Sequence, residues 1–161
     1  MKNKALIFLS VAIIVAACSS SGSITQTAPT STNNYIDTGH WVFAADRMLP
    51  RFGRTNTVTG GYNVTYETNK LVVYLPYTGR AYSGAGYTVD GNPLGFTSTN
   101  FTIRSQPGKK GRTIVTIIPA DYSEVQNMIF TFFPNGNANL DITLANRSGI
   151  SFTGKVDSPK K

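Results

Sequence analysis

The chain has 161 residues, with 15 Lys and Arg against 8 Asp and Glu, a single His and a single Cys, and a formal net charge of +7. One cysteine excludes an internal disulfide. One histidine confines any Ser–His–Asp arrangement to a single position and leaves a conventional zinc site short of ligands.

The first seventeen residues read as an export signal rather than as part of a fold. Lys2 and Lys4 form a charged leader, and residues 5–17 are apolar apart from Ser10. Such a stretch is too short to span a bilayer comfortably. It ends Val15-Ala16-Ala17-Cys18, and small residues before a cysteine resemble the lipobox of bacterial lipoproteins. The resemblance implies acylation of Cys18, palmitate-type chains included, and a mature chain that begins there. A lone exported thiol would be an oxidation liability, and lipidation consumes it. Two or three acyl chains hold a protein stably where one does not. Ser19 to Ser23 contains no acid, so the expected address is the cell envelope, at the outer membrane facing the periplasm. Loss of Lys2 and Lys4 leaves the mature chain at about +5, which weakly favours anionic neighbours.

Residues 18–38 carry the lipidated cysteine and then Ser, Thr, Asn, Gln and Gly without a period. They read as a flexible tether with a reach of roughly 25 Å. Residues 39–157 suit one β domain with its own core, and 158–161 form a basic tail.

Along the domain, Trp41, Phe43 and Ala45 alternate with Val42 and Ala44, and Tyr62, Val64 and Tyr66 with Asn63 and Thr65. Both are period-two patterns of half-buried strands. Leu71 to Tyr77 is a continuous apolar run, expected as a strand buried on both faces or as a twisted barrel strand. Phe101 and Ile103 alternate with Thr102 and Arg104, and Ile114–Ile118, Met128–Phe133, Leu140–Leu144 and Ile150–Phe152 complete about eight strands. Thr68-Asn69-Lys70, the glycine-bounded Pro107–Gly111, Asn135-Gly136 and Asn146-Arg147-Ser148 supply short turns. Together they predict an all-β antiparallel meander, a closed or half-open barrel (lipocalin-like or clam-like), with a β-sandwich as the alternative. The one stretch that suits a helical turn is Asp121–Gln126, capped by Asp121 with Glu124 three residues on, and a plain β-turn suits it equally.

Leu75-Pro76-Tyr77-Thr78-Gly79-Arg80-Ala81-Tyr82-Ser83 resembles the central motif of an uncharacterised family of Bacteroidetes lipoproteins, domain-of-unknown-function family 4251. Ala45-Asp46-Arg47 with Pro50, Thr131–Gly136 and Asn146–Ser151 resemble its flanks. The resemblance implies an envelope setting and a mainly β fold. It implies no activity and assigns no catalytic residue.

Catalytic chemistry has few candidates, and the expectation is that the chain is not an enzyme. His40, just past the tether, is the only residue for a triad, and a histidine at a strand start is usually solvated. Asp46, Glu67, Asp90, Asp121, Glu124 and Asp141 offer carboxylates for glycoside chemistry, but nothing in the sequence pairs two of them. No cofactor or metal is expected. The glycine-rich stretch from Tyr77 to Phe96 is longer than a hairpin needs, and long loops in compact domains are often functional. Tyr77, Arg80, Tyr82 and Tyr87 are therefore the candidate ligand-binding residues, flat rings plus a planar cation for a glycan, lipid or anionic group. The structural alternative has the tyrosines plugging the barrel mouth and Arg80 pairing with an acid such as Asp46. Arg47, Arg51 and Arg54 on one turn, and Lys109, Lys110 and Arg112 on another, suit solvation or anionic headgroups.

Two functions follow from these readings. One is a membrane-anchored binding module, which predicts an interior its side chains do not fill. The other is a structural or interaction subunit that docks an envelope protein through exposed Tyr and Phe. Nucleic acid is not an expected partner.

Overall fold

The computed structural model describes residues 39–82 and 91–158. Cys18, the signal and tether, Tyr87, Asp90 and the last three residues of the basic tail lie outside them.

Ten antiparallel strands form a single sheet. They are β1 (Trp41–Pro50), β2 (Asn56–Thr57), β3 (Asn63–Glu67), β4 (Lys70–Tyr74) and β5 (Gly95–Ser98), then β6 (Phe101–Pro107), β7 (Thr113–Pro119), β8 (Val125–Phe132), β9 (Asn137–Leu144) and β10 (Ile150–Asp157). Their order is β5-β4-β3-β1-β10-β9-β8-β7-β6, with β2 beside β1. The all-β expectation holds, and of the two architectures it is the barrel that forms.

Sheet order explains why. β5 and β6 are its two opposite edges, yet only Thr99 and Asn100 separate them in the chain. Eight antiparallel steps separate the two strands, so they run in the same direction. The chain thus leaves one edge and continues into the other through a bend, which curls the sheet into a nearly closed barrel and shields its edges.

That corner is held by Asp121. Its carboxylate accepts hydrogen bonds from the buried Ser98 hydroxyl and from the N–H groups of Thr99 (2.9 Å) and Asn100 (3.1 Å). The Ser98 bond first, then the backbone bonds, hold its carboxyl below the ordinary carboxylate range. Phe96 stacks on Tyr122 at 4.1 Å, and the Tyr122 hydroxyl donates to the Pro93 carbonyl. Of the two readings for residues 121–126 it is the plain turn that forms, and Asp121 caps a bend brought to it from about twenty residues upstream.

Alternation decides which side chains enter the barrel. Trp41, Phe43 and Ala45 point inward; a bulge between Ala45 and Arg47 then shifts the phase, so Met48 is the next buried side chain. Met128, Phe130 and Phe132 of β8, Leu140 and Ile142 of β9, and Phe152 of β10 complete the centre. Trp41 meets Phe130 edge-on at 4.8 Å and Phe132 at 5.1 Å, and Phe43 meets Phe130 at 5.8 Å. Large rings from β1 and β8 therefore meet across the interior.

Of the two readings of the apolar run from Leu71, it is the barrel strand that forms. β4 stops at Tyr74; Leu71 and Val73 face inward and Leu75 just beyond is buried, while Tyr74 is exposed on the outer face and stacks on Tyr62 at 5.0 Å. Strands β2 and β5 had no counterpart in the eight-strand reading. Gly154 shows how closely β1 and β10 approach at the bulge, since a Cβ there would lie 2.0 Å from the Ala44 carbonyl oxygen. No other residue fits without moving backbone.

Candidate functional site

Register assigns the loops to two poles. At the first are the start of β1 and the hairpins β6–β7 and β8–β9; at the second are the end of β1, the β9–β10 turn and the segment after β4.

At the second pole the segment carrying the predicted site residues is clasped to the β9–β10 turn. Ala81 pairs with Arg147 as an antiparallel bridge, the Tyr82 N–H donates to the Asn146 carbonyl (2.8 Å) and the Ser148 N–H to the Arg80 carbonyl (2.9 Å). Ser148 is buried, its Oγ accepting from the Arg80 N–H at 3.0 Å. The Tyr77 hydroxyl donates to the Ser148 carbonyl at 2.9 Å and lies 3.2 Å from its Oγ. A proton order satisfies all three atoms: Arg80 N–H to Ser148 Oγ, Ser148 hydroxyl to Tyr77, and Tyr77 hydroxyl to the Ser148 carbonyl. Gly79 fits because a Cβ there would lie 2.1 Å from the Tyr77 hydroxyl oxygen.

Tyr77 is thus occupied inside the protein, with the Arg147 guanidinium 6.0 Å from its ring and Arg147 also 3.5 Å from Glu124. The Arg80 side chain points elsewhere. Its guanidinium lies 5.3 Å over the ring of Phe52, itself 53% exposed, and not on Asp46 as the structural alternative required. Tyr82 is exposed. The structure brings Arg80 and Tyr82 to one segment of the surface and commits Tyr77 to the clasp.

A second place is built entirely by register. β1, β10 and β9 set Arg47, Thr153 and Asn139 side by side on the outer face. With Asp46, Phe133, Asn135 and Asn137 they line an open groove of about 520 Å³. The Asn135 side chain caps its own hairpin by accepting from the Asn137 N–H, and Phe133 carries the Arg112 guanidinium 4.9 Å from its ring. The side chains of Asp46, Arg47, Asn139 and Thr153 have no hydrogen-bond partner among the described residues. One carboxylate, one guanidinium, an amide and a hydroxyl make a surface that both donates and accepts, with the Arg112 guanidinium against its Phe133 wall. Another open groove, about 600 Å³, runs along β4 and β5 past Val72, Tyr74 and Phe96 and is more apolar.

Comparison with known families assigns the fold. A family model described as a domain of unknown function (DUF4251) matches residues 25–156. The chain belongs to the DUF4251 family. A crystal structure of a DUF4251 family protein from Bacteroides eggerthii DSM 20697 superposes with a TM-score of 0.58 at 16% identity, covering 81% of this chain and 87% of that one. At that identity the likeness concerns the fold. Comparison with curated proteins gives no match.

The stretches that carried the DUF4251 resemblance converge in space. Leu75–Tyr82 meets Asn146–Ser148 in the clasp, and Asp46 and Arg47 meet Phe133 and Asn135 in the groove. Sequence reading named each stretch but missed the groove, whose side chains come together only through strand register. His40 is exposed ahead of β1, and among the described residues no three His, Cys, Asp or Glu side chains gather as metal ligands.

Proposed function

We propose that this DUF4251 chain is an envelope lipoprotein, anchored through Cys18 at the outer membrane, whose β1–β10–β9 groove binds a neutral glycan. The observation that carries the ligand reading is the groove's balanced chemistry. Asp46 and Arg47 offset each other's charge, and the Asn and Thr side chains offer donors and acceptors suited to sugar hydroxyls. Rings meeting across the interior favour a ligand met on the outer surface. The lipobox-like Val15–Cys18 sequence supports the anchor.

A thermal-shift screen of neutral and acidic envelope oligosaccharides tests it. Neutral sugars should raise the midpoint of the wild-type chain and leave Asn139→Ala unchanged. No shift with any sugar at saturation would sink the reading and favour an accessory subunit, sought by pull-down from detergent-solubilised envelope.

The exposed Arg80–Phe52 stack favours a second reading. Arg51 and Arg54 flank Phe52 in sequence, and Tyr82 follows Arg80 by two residues. Such a surface selects an anionic ligand. Acidic sugars shifting the wild type but not Arg80→Ala would point there instead.

A further inference from the structure

Three of the four lysines among the described residues lie at one pole of the barrel, while Lys70 sits apart beside the β5–β6 corner. Lys109 and Lys110 sit in the β6–β7 hairpin, and Lys155 pairs with Asn137 at the start of β9. Arg112 joins them beside Phe133. All four are exposed. The carboxylate at this pole is Asp157, opposite Val42. It lies within ion-pair distance of no lysine among the described residues. The opposite pole carries arginines instead: Arg51, Arg54, Arg80 and Arg147.

Contacts confirm that the lysine-bearing loops share one end. Gly111 packs against Pro134 of the β8–β9 hairpin, and the Val156 N–H donates to the Gly136 carbonyl of that hairpin. The end of β10 beside them pairs with the start of β1, Asp157 opposite Val42. The residues that lead back to Cys18 therefore join the barrel at its lysine pole.

We propose that this pole is a docking surface for anionic lipid headgroups, and that it holds the anchored barrel upright with the arginine pole facing away from the bilayer. The proposal rests on the lipid anchor at Cys18. Lysine is a compact, strongly hydrated cation on a flexible stem, suited to a diffuse headgroup surface, and juxtamembrane cations are drawn to anionic leaflets. An excess of three cations over anions at this pole corresponds to an about 100-fold preference for the docked orientation over a freely tumbling one. The groove opens on the barrel's flank, so docking leaves it accessible.

Trp41, the chain's single tryptophan, sits at this pole at the start of β1. It is a native energy donor to dansyl-labelled headgroups. The mature lipidated chain would be reconstituted in phosphatidylcholine vesicles with and without about 30 mol % phosphatidylglycerol. Flotation reports anchoring, and transfer from Trp41 reports orientation. Transfer should rise about two-fold with anionic lipid. It should fall back at about 0.5 M salt, where screening shortens to about 4 Å, while the protein still floats. The Lys109→Glu/Lys110→Glu/Lys155→Glu chain should float and show only the phosphatidylcholine level of transfer; if it does not fold by circular dichroism, the wild-type salt titration decides. Flotation with transfer indifferent to anionic lipid or salt would overturn the proposal. Failure of the wild type to float would instead defeat the anchor reading, and this proposal with it.

Discussion

Replacing Tyr77 with Phe removes one hydroxyl and leaves the ring over which Arg147 lies. That hydroxyl donates to the Ser148 carbonyl at 2.9 Å and lies 3.2 Å from the Ser148 Oγ. A hydrogen bond of this kind contributes about 1 kcal/mol net. Ser148 is 2% exposed, so its abandoned carbonyl gains little from water and adds about 1 kcal/mol more. We expect Tyr77→Phe to destabilise the barrel by about 2 kcal/mol, a fall of roughly 6–10 °C in Tm for a domain of this size. Urea unfolding should show a lower midpoint at unchanged slope. Ser148→Ala should cost a similar amount, because the Arg80 N–H loses its acceptor, and the double variant should cost less than the two together by at least about 0.5 kcal/mol. A Tyr77→Phe chain as stable as wild type, or strictly additive effects, would refute the clasp and return Tyr77 to the list of free ligand-binding residues.

Three further outcomes follow from the geometry. Gly154→Ala places a Cβ on the Ala44 carbonyl and should destabilise by about 3 kcal/mol or more in the same urea assay, with Gly136→Ala, which meets no neighbour but sits at φ +82°, costing about 1 kcal/mol. Phe130→Ala opens a void between Trp41, Phe43 and Phe132 and should cost about 3–5 kcal/mol, visible also as a red shift of Trp41 emission. The Asp121 carboxyl titrates lower in the folded than in the unfolded chain. Its stabilising effect is therefore full above the unfolded value near about pH 4 and is lost as pH falls through the depressed folded value. Asp121→Asn should lower Tm at neutral pH and flatten the acid limb of a Tm-against-pH curve; an unchanged acid limb would contradict the role given to the Ser98–Asp121 corner.

Period-two patterns made most strands legible, because β1, β3 and β7 to β10 each bury alternate side chains against one core. Four-residue β5 was hidden because Gly91 and Gly95 read as loop, and its pairing with β4 is long-range. In the Asn135-Gly136 hairpin, legible as a turn, only Gly136 has positive φ, and Phe133 to Gly136 form a four-residue connection. Barrel and sandwich were indistinguishable in sequence, since closure depends on a two-residue bend whose acid arrives from β7–β8. The same limit hid the groove: Asp46 and Arg47 were legible as a motif, but Asn139 and Thr153 join them only through register with β10 and β9, and the β1 bulge that sets that register leaves no mark in composition.

A glycan met in the β1–β10–β9 groove would perturb the backbone amides that line it. A backbone-amide NMR titration of the folded chain with neutral envelope oligosaccharides reads this residue by residue. Saturable shifts are expected at Asp46, Arg47, Asn139 and Thr153, with the amides around Phe52 and Arg80 unmoved. Shifts confined to Phe52, Arg80 and Tyr82, or none at saturating sugar, would contradict binding in the groove.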